Sequence, residues 1–120
     1  MLDEAIDAVF PGSLLHIMQD GCFFWLELEV PTLKRYLTAA EFSDGTIRYL
    51  CLLAALLSPE PAPLLVLNEP ENSLHPDVLL PLARLIRRAS ERSQVWITTH
   101  SARLSKLLTE DPSAKIMTLE

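Results

Sequence analysis

Apolar and polar positions follow different rhythms in the two parts of this chain. Residues 2–9 suit a short helical turn, ended by Phe10-Pro11-Gly12. Ser13–Met18 and Cys22–Val30 predict two strands joined at Gln19-Asp20-Gly21. In the second, Phe24, Leu26, Leu28 and Val30 alternate with Trp25, Glu27 and Glu29, as in an antiparallel pair with one wet face. After Phe42 the rhythm changes. Ser43-Asp44-Gly45-Thr46 precedes Ile47–Leu57, an almost unbroken apolar stretch that predicts a helix buried on most sides. Ser43 can cap it by accepting a backbone N–H, and Asp44 suits the positive end of the helix dipole. The prolines of Ser58–Pro63 stop it, and Leu64–Leu67 reads as a strand covered on both faces.

Pro76 suits the first turn of a helix over about 76–91, with Val78, Leu79, Leu82, Leu85, Ile86 and Ala89 facing inward. Gln94–Thr98 predicts a strand, Ala102–Leu108 a helix and Lys115–Leu119 a last short strand. From residue 64 the order strand, helix, strand, helix, strand predicts an α/β fold with a mostly parallel sheet flanked by helices. The antiparallel pair precedes it. In such sheets, function sits beyond the carboxyl ends of the strands.

Composition narrows the classes. The chain has 120 residues, 49% hydrophobic, which is material for one core. Ten Lys+Arg against sixteen Asp+Glu leave a net charge of −6, which argues against an autonomous nucleic-acid binder or a membrane-surface domain. Seven of the ten basic residues lie between Arg84 and Lys115 and suit a solvated helix face. No apolar run approaches the ~18–20 residues of a membrane span. The acidic start is unlike a secretory signal, so a cytoplasmic location is expected. Cys22 and Cys51, set among apolar residues, suggest buried thiols.

Three polar clusters stand where chemistry is expected. Leu64–Leu67 ends in Asn68-Glu69-Pro70, an amide and a carboxylate at the sheet rim. There a carboxylate can orient or deprotonate an attacking water. Thr98-Thr99-His100-Ser101 ends the neighbouring strand, where an imidazole can meet a phosphate or a water. Ser43-Asp44-Gly45-Thr46 offers free N–H groups at a helix start, suited to an approaching phosphate. Alone, each cluster also fits an ordinary role: a strand running into solvent, a packing histidine, a capped helix. His16, His75 and His100 have no zinc-ligand spacing, and no serine lies in a Gly-x-Ser-x-Gly elbow.

Their order, over about residues 41–108, resembles ATP-binding-cassette ATPases of the SMC/RecF kind, which are also grouped as AAA-type ATPase cores. The resemblance implies a division into residues 1–40, the helix turn and strand pair, and 41–120, the C-terminal half of an ABC-type ATPase domain. It implies that Ser43, Asp44, Gly45 and Thr46 form the signature motif, which contacts ATP held by the opposite subunit. Leu64–Glu69 would be Walker B, with Glu69 the catalytic carboxylate, and His100 the switch histidine. Asn72, Ser73, Leu74 and His75 are similar to the D-loop, which crosses the dimer interface. Arg48, one turn into the signature helix, is a candidate phosphate contact or a solvated or locally paired arginine.

Two departures qualify what the resemblance implies. Walker B normally ends Asp-Glu; Asn68 keeps an oxygen for a metal-bound water but lacks the charge that favours Mg²⁺, so a weakened metal site is expected. No Gly-x-x-x-x-Gly-Lys-Ser/Thr occurs, so the N–H cradle and phosphate lysine are missing. The expectation is a partial P-loop NTPase fold that lacks its P-loop, hydrolyses ATP only when a P-loop-bearing segment or partner completes it, and binds neither ATP nor Mg²⁺ tightly alone. A non-catalytic remnant serving dimerisation or regulation is the alternative. Uncovered sheet edges and apolar helix faces predict self-association or a partner chain. DNA enters only through the resemblance.

Overall fold

The computed structural model describes residues 1–119. Helix α1 (Leu2–Val9) leads into an antiparallel sheet of β1 (Leu14–Asp20), β2 (Phe23–Glu29) and the short β3 (Tyr36–Thr38), in the order β1-β2-β3. Helix α2 (Asp44–Leu56) follows. Then come β4 (Leu64–Asn68), α3 (Leu79–Ser90), β5 (Gln94–Thr98) and α4 (Ala102–Thr109), with β4 and β5 paired in parallel. The class is α/β: a parallel pair flanked by helices, preceded by an antiparallel strand pair that β3 extends.

Two apolar clusters hold these elements together. One joins Ala5, Ile6 and Leu28 to Tyr49, Leu53 and Val78. Tyr49 is 1% exposed, and its hydroxyl donates to the Ala5 carbonyl at 2.9 Å. The other joins Leu52 and Leu56 of α2 to Leu82, Ile86 and Ala89 of α3, with Leu65, Leu67, Val95 and Ile97 of the parallel pair against them. The predicted stripe of α3 is thus the buried one, with Ala83 added and Leu85 half-buried. Pro76 opens a single 3₁₀ turn, Pro76–Val78, ahead of α3.

Four expectations are corrected. Lys115–Leu119 forms no strand: the chain turns at Asp111, which accepts from Ser113 N–H (2.8 Å) and, through its carbonyl, from Ala114 N–H. Ile116, Met117 and Leu119 stay exposed, and among the described residues no neighbouring strand pairs with them. The β4 strand is covered on one face only, because helices pack one side of a two-stranded ribbon. Leu64, Val66 (62% exposed) and Trp96 (59%) look outward on the other. Helix α2 buries Tyr49, Leu52, Leu53 and Leu56 but leaves the stripe Ile47, Cys51 and Ala54 open, although nearly every position is apolar. Both cysteines are exposed: Cys51 lies on that stripe, and Cys22 in the turn between β1 and β2.

The period of two in β2 holds only at its base. Leu28 is buried, but Phe24 and Phe23 lie at the free end of the hairpin beyond the reach of the core.

Candidate functional site

Parallel pairing in register, Asn68 opposite Thr98, ends the two apolar strands side by side. The pairing runs one residue further, since Glu69 N–H donates to the Thr98 carbonyl at 2.8 Å. Glu69 then turns sharply, with φ 46°, a left-handed backbone that non-glycine residues adopt at a cost of about 1–3 kcal/mol. That turn brings its carboxylate back over the strand ends. Oε1 lies 2.9 Å from His100 Nε2, and Oε2 accepts from Asn72 Nδ2 at 2.6 Å. With the carboxylate ionised, Nε2 is the imidazole nitrogen that carries the proton. The Glu69 side chain is 29% exposed and that of His100 91%, so the pair sits in the rim with its imidazole in solvent. A carboxylate so held can orient a water, and the imidazole beside it can exchange a proton or meet an anion.

The structure therefore brings together the two predicted catalytic residues, Glu69 and His100. Asn68 points to the outward face of the ribbon, where its Oδ1 accepts from Thr98 Oγ1 at 2.5 Å. Among the described residues no three His, Cys, Asp or Glu side chains converge as metal ligands. Asn68 Oδ1 and both Glu69 oxygens each meet one protein donor in this arrangement.

Ser43 caps α2, its Oγ accepting from Thr46 N–H at 3.1 Å, with Thr46 Oγ1 2.8 Å away. Asp44 occupies the first turn and is exposed. Gly45 is where side-chain size matters: a Cβ there would stand 2.5 Å from the Ser73 carbonyl oxygen. The start of α2 thus packs on the Asn72–His75 turn within one chain. Of that turn, Asn72 holds Glu69, and Ser73 meets Gly45 with a left-handed φ of 65°. Leu74 packs against both cores, and His75 caps the 3₁₀ turn by accepting from Asp77 N–H.

Arg48 resolves as locally paired. Its Nη2 donates to the carbonyls of Glu69 (2.8 Å) and Asn68 (3.3 Å), tying α2 to the strand exit. Sequence reasoning missed Glu71, whose Oε1 accepts from Thr99 Oγ1 and from His100 N–H. Its signal was a second carboxylate two residues past Glu69, opposite a Thr-Thr-His end.

Residues 13–105 match the family described as "AAA domain, putative AbiEii toxin, Type IV TA system". The chain belongs to this AAA-domain family. No curated protein matches it. Among the solved structures that share its fold are three of SMC proteins. One, from work on "ATP-driven dimerization and DNA stimulated activation of SMC ATPases", aligns with TM-score 0.68 and 17% identity, covering 88% of this chain and 68% of the other. The SMC head bound to the C-terminal winged-helix domain of ScpA aligns at 0.74 with 18% identity, covering 88% and 34%. The Pyrococcus furiosus SMC head with an extended coiled coil, bound to the ScpA C-terminal domain, aligns at 0.66 with 19% identity, covering 90% and 28%. The chain thus spans about a third or less of the last two. The fold of this AAA-domain protein is that of an SMC/RecF-like ABC-type ATPase region.

Proposed function

We propose that this chain is the C-terminal half of an SMC/RecF-like ATPase, with residues 41–120 supplying the signature, Walker B, D-loop and switch-histidine elements. The observation that carries the reading is the Glu69–His100 pair, 2.9 Å apart at the ends of two adjacent parallel strands. In this reading Glu69 orients the attacking water and takes its proton, and His100 meets the γ-phosphate. Ser43 and Gly45, at the start of α2, close over nucleotide gripped by a P-loop that the sequence of this chain does not contain. Mg²⁺ and ATP belong to the completed site. Alone, the chain turns over no ATP.

The partner is a P-loop-bearing segment or chain, with dimerisation in keeping with the ATP-driven dimerisation named for one fold relative. DNA is named in that same description, but a charge of −6 makes this chain by itself a poor phosphate binder. No helix among the described residues is long and apolar enough to cross a membrane. The reading places the complex in the cytoplasm.

The test is ATP turnover by this chain combined with a P-loop-bearing lobe. Glu69→Gln lowers turnover about 100-fold or more while ATP binding persists. Turnover indifferent to both Glu69→Gln and His100→Ala sinks the reading. One observation favours a non-catalytic remnant instead: Asn68 replaces an acid, and its oxygen is already engaged by Thr98. In that case the complex assembles but hydrolyses nothing, even with Asn68→Asp.

A further inference from the structure

Glu71 is a carboxylate for which the catalytic reading has no task. It stands half-buried in the turn leaving β4, two residues past Glu69. Oε1 accepts from Thr99 Oγ1 and from His100 N–H at 3.3 Å, and Oε2 is buried without a partner. Thr99 Oγ1 in turn accepts from Ser101 N–H at 3.0 Å, and Ser101 caps α4 by accepting from Leu104 N–H. One carboxylate therefore ties the exit of β4 to the exit of β5, gripping both His100 itself and the residue before it.

His100 needs such a grip. Its side chain is 91% exposed, so packing does not place the ring. What aims it at Glu69 is the backbone on which it stands. Burying a carboxylate among neutral donors is costly. Its hydrogen bonds, however, are roughly twice as strong as those of a neutral acceptor. We propose that Glu71 is the positioning residue for His100, holding the β5 exit so that the imidazole reaches the Glu69 carboxylate. The importance of His100 rests on the ATPase reading; the contact does not.

The test is NMR of the full chain without nucleotide. In Glu71→Ala the cross-relaxation between the His100 ring and the Glu69 side chain is lost. The His100 amide exchanges about tenfold faster, as expected for one lost charge-assisted hydrogen bond, while amides of β4, β5 and α3 keep their protection. Glu71→Gln, which keeps an acceptor oxygen, restores the contact. Thr99→Val removes the hydroxyl that donates to Glu71 and accepts from Ser101 N–H, keeps the carboxylate, and weakens the same contact, so it carries the test if Glu71→Ala fails to fold. A His100–Glu69 contact unchanged in Glu71→Ala, or in Thr99→Val where Glu71→Ala is unfolded, overturns the proposal. So does equal loss in Glu71→Ala and Glu71→Gln. These readouts need no ATP, so a complemented complex that fails to hydrolyse would sink the ATPase reading and leave the positioning role standing.

Discussion

Gly45, Arg48 and Tyr49 all lie in the first two turns of α2, and each does a different job. Burial pushes the Tyr49 phenol up to about 12 from its ordinary 10. A group whose folded value is raised adds stability that is complete below about pH 10 and is lost as pH climbs toward about 12. Urea midpoints measured across that window should fall for the native chain and stay flatter for Tyr49→Phe. The variant itself loses about 1 kcal/mol at neutral pH, with the hydrogen bond to Ala5. Arg48→Met keeps the apolar stem but removes the donor to two carbonyls at the strand exit. Deleting the buried, unpaired Nε offsets part of that loss, so a cost of about 1–2 kcal/mol is expected in the same unfolding measurement. Gly45→Ala ought to gain about 1 kcal/mol of helix propensity. The Ser73 carbonyl, 2.5 Å from the new Cβ, reverses the sign: a lower melting temperature is expected, with shifted Ser73 and Leu74 amide resonances. A stabilised variant would show that the start of α2 and the Asn72–His75 turn do not pack together.

Among the elements, the β1–β2 hairpin was legible as a hairpin but not in its burial. Alternation told which residues share a face; it could not tell how far the core reaches along that face. Leu28 lies over α1 and α2, whereas Phe23 is 78% exposed at the far end. Phe23→Thr should therefore change stability by less than about 0.5 kcal/mol. Leu28→Ala should cost about 2–5 kcal/mol. Comparable costs for the two would mean that the hairpin end is covered in solution. The strand expected at Lys115–Leu119 fails for a related reason: apolar residues make a strand only beside a partner, and the turn at Asp111 leaves them none.

At the scale of the whole molecule, the apolar surfaces that stay open among the described residues include the outward face of β4–β5, the Ile47–Cys51–Ala54 stripe and the hairpin end. Leu64, Val66 and Trp96 sit directly below Asn68 and Thr98 on one face of the ribbon. Concentration-dependent sedimentation should detect self-association, weakened by Val66→Thr with Trp96→Gln; a monomer at every concentration would refute it.

The sequence by itself determined most elements within a residue or two, the parallel order of the second half and the identity of the rim residues. These follow from local rules: periodicity, proline, a capping serine, polar residues at the end of an apolar run. Tertiary structure alone decided which apolar faces are covered, because coverage depends on how many strands and helices assemble. It also decided the partners of Glu69. His100 and Arg48 are far from it in sequence, and parallel pairing with helix packing is what brings them within hydrogen-bond reach.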